Sequence, residues 1–359
     1  MQPAYSIARS YDWNFLNAPT DLREVEVQDC PGNWDFCGIP VRSPLGIPAG
    51  PLLNSRWILY YAARGFDVLT YKTVRSVYRA CYEPPNLLPV DSGQLSGESD
   101  CVVRSENSFP IRSWAISFGM PSKSPVTWQA DIEAARRDLP VGKVLVVSVV
   151  ASPEPESSIE TIADDFAQCA RWASQSGAHV IEANLSCPNV CTQEGQLYTD
   201  PAAAELVSAS IRREIGTLPL ILKIGLFSNS DEAEAFVQAT EDYTTALSTT
   251  NSISAKVLDG NGVPLFGGLT RGIGGNCIRK RCQIELELLH RILDRRKSTL
   301  RLIGVGGLSS ATDVRERLSG GAHHVQLATA AMLDPLIGAR IRNDLAAAGT
   351  QLNLIPGAS

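Results

Sequence analysis

"LRLIGVGGLSSATDVRERLSGGAHHVQLATAAM", residues 300–332, holds one complete repeat of a simple grammar. An apolar run, "LRLIGVGGL" (300–308), ends in glycines. "SSATDVRERLSGG" follows, headed by serine and closed by glycine. A second apolar run, "HHVQLATAAM" (323–332), then begins. Serine offers a side-chain acceptor to the free N–H groups that open a helix, and glycine tolerates the reversal that ends one. The stretch therefore predicts strand, helix, strand.

Working outward, the same alternation covers most of the chain. Further strands are predicted at "SPLGIPAG" (43–50), "DVLTYKTV" (67–74), "KVLVVSVVAS" (143–152), "HVIEANLS" (179–186), "LPLILKIG" (218–225) and "TTALSTTNSI" (244–253). Most are apolar on both faces, as strands buried between layers must be. Helical patterns such as "SRWILYYAARG", "SIETIADDFAQCARWASQSG" and "DPAAAELVSASIRREIG" lie between them. Eight strands with following helices, and no second composition regime, predict an α/β fold. Its form is a (β/α)8 TIM barrel over residues 41–350, preceded by an irregular N-terminal extension over 1–40. A doubly wound open sheet is the rival, but no G-x-G-x-x-G follows the first strand. Residues 75–126 read as a long irregular insertion after strand two, the kind of loop that forms lids.

The chain has 359 residues, 44% of them hydrophobic, and a net charge of −6. The acidic balance argues against a nucleic-acid partner and favours a small molecule. No apolar run is long enough to span a membrane, and the first twenty residues lack the pattern of a signal peptide. Nine cysteines without such a signal suggest reduced thiols and a cytoplasmic location. Neither Cys187 with Cys191 nor Cys277 with Cys282 makes a metal-binding pattern with the four histidines, so no metal is expected.

In such barrels the chemistry sits at the carboxyl ends of the strands. Those ends supply Ala49-Gly50, Lys72-Thr73, Asn184 to Asn189, Lys223, Asn251-Ser252, Gly306-Gly307 and Ala328-Thr329. A lysine at the end of an otherwise apolar strand, twice, needs an anionic or hydrogen-bonding partner. The glycines of "IGVGGLSSATDV" bring backbone N–H groups and a helix start to strand seven, the usual phosphate position of this architecture. "RGIGG" (271–275), in the loop after strand six, offers further backbone donors.

"NLSCPNV" (184–190) closely resembles the signature of the dihydroorotate dehydrogenase family, in its soluble class that uses a cysteine base. "YKT", "LKIG", "TTNSI", "GIGG", "IGVGGL" and "LATA" match in the family's order and spacing. The resemblance implies a barrel holding FMN and the oxidation of a 5,6-dihydropyrimidine, most simply (S)-dihydroorotate to orotate in pyrimidine biosynthesis. It implies Cys187 as the base that takes a proton while a hydride leaves for the flavin. A thiol, with a pKa of ~8.5, must be deprotonated first, which favours alkaline pH. Asn184, Asn189 and Asn251 would bind the substrate's amide and imide groups, each carboxamide being both donor and acceptor without charge. Lys72 would lie between flavin and substrate, and Lys223 would stabilise the anionic reduced flavin. Ala49, Gly50, Thr73 and Ser252 would contact the flavin. Gly272, Gly275, Gly306, Gly307, Ala328 and Thr329 would hold its phosphate.

The match departs in two places. The family's Asn-Ser-x-Gly run is "AISFGMPS" here, with Ile116 in the asparagine's position. Losing one polar contact of this kind costs ~1–3 kcal/mol. Asn107 is a candidate substitute, and "EPPNLLPV" lacks the family's arginine. These differences keep a second reading open, an FMN oxidoreductase acting on another dihydropyrimidine or an enoate-type compound. A Schiff-base lyase or aldolase on Lys72 or Lys223 is a third reading, which leaves Cys187 and its flanking amides unexplained. The resemblance is compatible with a homodimer and leaves the electron-accepting partner open; the first 40 residues do not resemble the helical pair of the quinone-using class.

Overall fold

The run at 300–332 folds as strand Arg301–Val305, helix Ala311–Ser319 and strand His324–Gln326. The computed structural model describes residues 5–98, 100–105, 112–186 and 196–348. The other six predicted strands appear as Leu45–Ile47, Val68–Val74, Val144–Val149, Val180–Asn184, Leu220–Ile224 and Ala246–Thr249. All eight pair in parallel, in chain order, and the eighth closes onto the first. This is the expected (β/α)8 barrel.

Period-two alternation explains the two-faced apolar strands. Val68, Val144, Val146, Val180, Ile221, Ala246, Ile303 and Val305 form one cluster inside the barrel, while Leu69, Leu145, Ile181, Leu222, Leu247 and Leu302 pack in a separate one with the helices. Caps fix the helix starts. The side chains of Asn54, Ser158, Asp200, Asn229 and Ser310 each accept a backbone N–H from the first turn of the helix they precede.

The N-terminal extension has regular structure. It contains the helix Tyr11–Leu16 and all but the last residue of an antiparallel hairpin, Trp34–Phe36 with Ile39–Val41. The hairpin sends Phe36 into the barrel's interior cluster, where it is 1% exposed.

The insertion after strand two also differs from the irregular loop expected. It carries three strands, Leu87–Asp91, Cys101–Arg104 and Ser113–Ile116. They join two strands that follow barrel strand six, Ile253–Leu258 and Arg271–Gly275, in a small sheet closed on itself. Four of its five pairings are antiparallel and one is parallel. Leu88, Val90, Val102, Ala115, Val257 and Ile273 give it a core of its own. "RGIGG" is thus a strand rather than a loop, because pairing on both sides satisfies a backbone whose glycines have no side chains to pack. No helix among the described residues is long and apolar enough to cross a membrane.

Candidate active site

A cavity of about 530 Å³ lies between the carboxyl ends of the barrel strands and the small sheet. The barrel side is made by Pro48 to Pro51, Lys72, Thr73, Asn184, Lys223, Thr250 to Ser252, Val305 to Ser309 and Gln326 to Ala330. Leu87, Trp114, Ile116 and Gly274 form the opposite wall.

Of the residues singled out by sequence, Ala49, Gly50, Lys72, Thr73, Asn184, Lys223, Asn251, Ser252, Gly275, Gly306, Gly307, Ala328 and Thr329 all line this one cavity. Gly272 does not. It pairs with Ile116 and Ser254 inside the small sheet, so the strand that replaces the expected loop turns it away. Cys187, Asn189 and Asn107 lie outside the described residues.

The cations are held differently. Lys223 is 4% exposed and, by register, lies level with Asn184 on one side and Ser248 on the other. No carboxylate among the described residues is within ion-pair distance of it. A buried ammonium of this kind calls for an anionic or carbonyl partner. The Lys72 ammonium stands 4.9 Å from the ring centroid of Tyr11 and 5.3 Å from that of Phe118. Aromatic faces stabilise such a charge without neutralising it. Burial raises the Tyr11 hydroxyl far above the usual phenol range, so the ring stays neutral. Tyr11 comes from the extension, which therefore reaches the site.

The carboxamides are pre-aligned. Asn184 Oδ1 accepts from Ser186 N–H at 3.3 Å and from Asn251 Nδ2 at 3.4 Å. Asn251 Nδ2 also donates to the Ser186 carbonyl, and its Oδ1 accepts from Ser252 N–H at 2.9 Å. Among the described residues Asn184 Nδ2 has only the Met120 sulfur, at 3.6 Å, a weak acceptor. The Met120 loop is anchored by Arg75, fully buried, which donates to the carbonyls of Met120 at 3.2 Å and of Ala151.

The glycines of the strand-seven turn are sterically required. A Cβ on Gly306 would fall 2.5 Å from Cys282 Sγ, and one on Gly307 would fall 2.7 Å from Arg279 Cα. Both have positive φ, 105° and 76°. Beyond them Ser309 lines the cavity, and Ser310 caps the helix Ala311–Ser319.

Sequence reasoning missed several cavity residues. Gln326 lines it, with Nε2 3.3 Å from Thr70 Oγ1 and a buried Oε1 that has no partner among the described residues. A glutamine facing inward two positions after His324 in an apolar strand was the available signal. Trp114, Met120 and Arg112 came from segments read as irregular. Ile116 is where the sequence placed it, half-buried in the wall beside Trp114 and Phe118. The described cysteines are all unpaired, and burial pushes the thiols of Cys81 and Cys282 up to about 11, which leaves both protonated at neutral pH.

The chain belongs to the dihydroorotate dehydrogenase family, whose model matches residues 117–348. It is 32% identical to the dihydroorotate dehydrogenase of Dictyostelium discoideum over 96% of this chain and 97% of that one. It is 26% identical to the catalytic subunit of dihydroorotate dehydrogenase B (NAD(+)) of Desulforudis audaxviator, over 86% and 90% of the two chains. A dihydroorotate dehydrogenase A (fumarate) of Limosilactobacillus reuteri is 32% identical over 48% of this chain and 55% of its own. Among solved structures, DHODH of Eimeria tenella in complex with ferulenol superposes with a TM-score of 0.75 at 16% identity, covering 96% and 90% of the two chains, a likeness of fold. Membership makes the protein an oxidoreductase acting on CH–CH bonds, within a flavin-dependent family.

Proposed function

We propose that this protein oxidises (S)-dihydroorotate to orotate in pyrimidine biosynthesis, with FMN in the cavity at the barrel's carboxyl end. The observation that carries the reading is the convergence of two aligned carboxamides, two cations and a glycine turn at a helix start on one chamber. The residues present suit FMN. Lys223 lacks an anionic partner among the described residues, Gln326 Oε1 is a buried acceptor with no partner among them, and the Gly306-Gly307 turn, packed tightly on Cys282 and Arg279 behind it, presents bare backbone to the cavity.

When bound, the flavin would accept the hydride removed from the substrate. The chain's own groups do the rest. Asn184 and Asn251 donate to and accept from the amide groups of the ring, helped by Asn189, and fix its plane. Cys187 follows directly on Ser186, whose carbonyl is held by Asn251; its thiolate takes the proton from the carbon next to the one that loses hydride. Lys223 supplies positive charge where electron density accumulates. Lys72, restrained by Tyr11 and Phe118, orients the substrate from the side of strand two.

Purified protein should be yellow, and dihydroorotate should bleach it anaerobically. A colourless protein that FMN cannot reconstitute would end this reading. Ile116 favours a second one. An apolar side chain in the wall, beside Trp114, cannot hydrogen-bond a carboxylate, which suits another dihydropyrimidine or an enoate-type compound. Rapid anaerobic bleaching by dihydroorotate, with none by dihydrouracil or simple enoates, eliminates that alternative.

A further inference from the structure

Arg317, on the helix Ala311–Ser319, is 1% exposed although it carries a permanent charge. Its guanidinium makes four hydrogen bonds, all to neutral acceptors. Nη1 donates to the Val305 carbonyl at 2.9 Å, Nη2 to the carbonyls of Gly306 and Arg279, each at 3.2 Å, and Nε to Gln283 Oε1 at 2.9 Å. No carboxylate among the described residues lies within ion-pair distance. Asp313 and Glu287 act on it only from farther away, and Asp313 is engaged by Arg279 at 2.7 Å. Burying a cation among neutral groups is strongly unfavourable unless a negative charge compensates it.

The strand is built around this side chain. A Cβ on Gly304 would meet Arg317 Cγ at 2.5 Å, so strand seven lacks a side chain where the arginine stem crosses it. The Gly306–Gly307 peptide is trans; its carbonyl points to Arg317 and its N–H to the opposite side. That Gly307 N–H has no partner among the described residues, and Gly307 lines the cavity.

We propose that Arg317 is a positioning residue for the phosphate end of the cofactor site, acting through the backbone. Its charge polarises the Gly306–Gly307 peptide, fixes the Gly307 N–H toward a phosphate oxygen, and is itself compensated by the bound dianion across the turn. The inference rests on the cofactor reading above.

Flavin-stripped wild-type protein and its Arg317→Gln variant are titrated with FMN and with riboflavin, which lacks the phosphate, by quenching of flavin fluorescence. Arg317→Gln should weaken FMN by about tenfold or more and riboflavin by less than about threefold. Equal weakening of both ligands, or none, overturns the proposal, since a merely structural arginine would not separate them. Should Arg317→Gln not fold, Arg317→Lys, which keeps the charge and loses the fork, is read by the same ratio and should weaken FMN at least about threefold more than riboflavin; equal weakening of both, or none, overturns the proposal. Wild-type protein that binds riboflavin as tightly as FMN, or binds neither, refutes the phosphate reading itself and the proposal with it.

Discussion

Gly306→Ala tests the strand-seven turn with a single methyl group. The new Cβ would lie 2.5 Å from Cys282 Sγ and 3.2 Å from Ile278 Cδ1, at φ 105°. Cys282 is fully buried, so its sulfur has nowhere to go. Holding alanine at that φ costs about 1–2 kcal/mol. Overpacking against the sulfur adds about 1–3 kcal/mol. The sum is roughly 2–5 kcal/mol. Unfolding entropy near 2.1 cal/mol/K per residue gives this 359-residue chain roughly 0.75 kcal/mol/K, so Tm should fall by about 3–7 °C. Cys282→Ala alone, which leaves a small void, should cost ~1 kcal/mol. The double variant removes the sulfur clash but keeps the backbone strain. It should therefore be about 1–2 kcal/mol more stable than the sum of the two single losses. Calorimetric unfolding of the four proteins measures the cycle. Strictly additive losses, or an alanine variant as stable as wild type, would refute the packing argument.

Cys187→Ala should lower dihydroorotate turnover by roughly 100-fold or more while leaving FMN binding intact, and wild-type activity should climb toward alkaline pH as the thiol ionises; stopped-flow flavin reduction measures both, and turnover near the wild-type level would remove the cysteine from the mechanism. Ile116→Asn introduces a polar group into the wall beside Trp114 and should tighten dihydroorotate binding by about tenfold; an unchanged KM would show that this wall does not touch the substrate. Burial holds His324 at about 3 and His323 at about 4, both far below the ordinary 6.5. As pH falls, the unfolded chain takes up these protons first. The stability they contribute is whole above about 6.5 and is lost as pH falls through 6.5 toward 4 and then 3. His324→Phe, packed edge-on to Phe36, should flatten that acid loss by up to about 1.4 kcal/mol per pH unit, read from urea unfolding at pH 7.5 and 5.0; an equal acid loss in the variant would contradict this.

The barrel was legible because its strands are buried on both faces, so most of them read as short, largely apolar runs between helical patterns. The small sheet was not. Leu87–Asp91 contains Pro89, and Arg271–Gly275 is mostly glycine; local preference argues against a strand in both, and pairing with distant segments overrides it. Ile253–Leu258 shows clean alternation of buried and exposed positions, but the run read as strand six extended to residue 253 and hid its start. In the site, Lys72 and Lys223 stood out because a charge inside an apolar strand demands a reason. Gln326 carries no charge and drew no attention. Tyr11 could not be connected to Lys72 before the fold was known, since sixty residues of chain separate them and only the packing of the extension joins them.

The small sheet links residues near 87 to residues near 271, with four barrel strands between them in the chain. Such a pairing must wait until the intervening polypeptide has been synthesised and roughly arranged, because closing so long a loop is unfavourable until contacts reward it. By the same reasoning the neighbouring barrel strands Val144–Val149 and Val180–Asn184, which pair across a short connection, should form before the sheet that covers them is complete, leaving the floor of the chamber open while its cover is still missing. In pulsed hydrogen exchange during refolding, amides of Leu87–Asp91 and Ser113–Ile116 should gain protection after those of Val144–Val149 and Val180–Asn184; simultaneous protection would mean that bowl and roof form together.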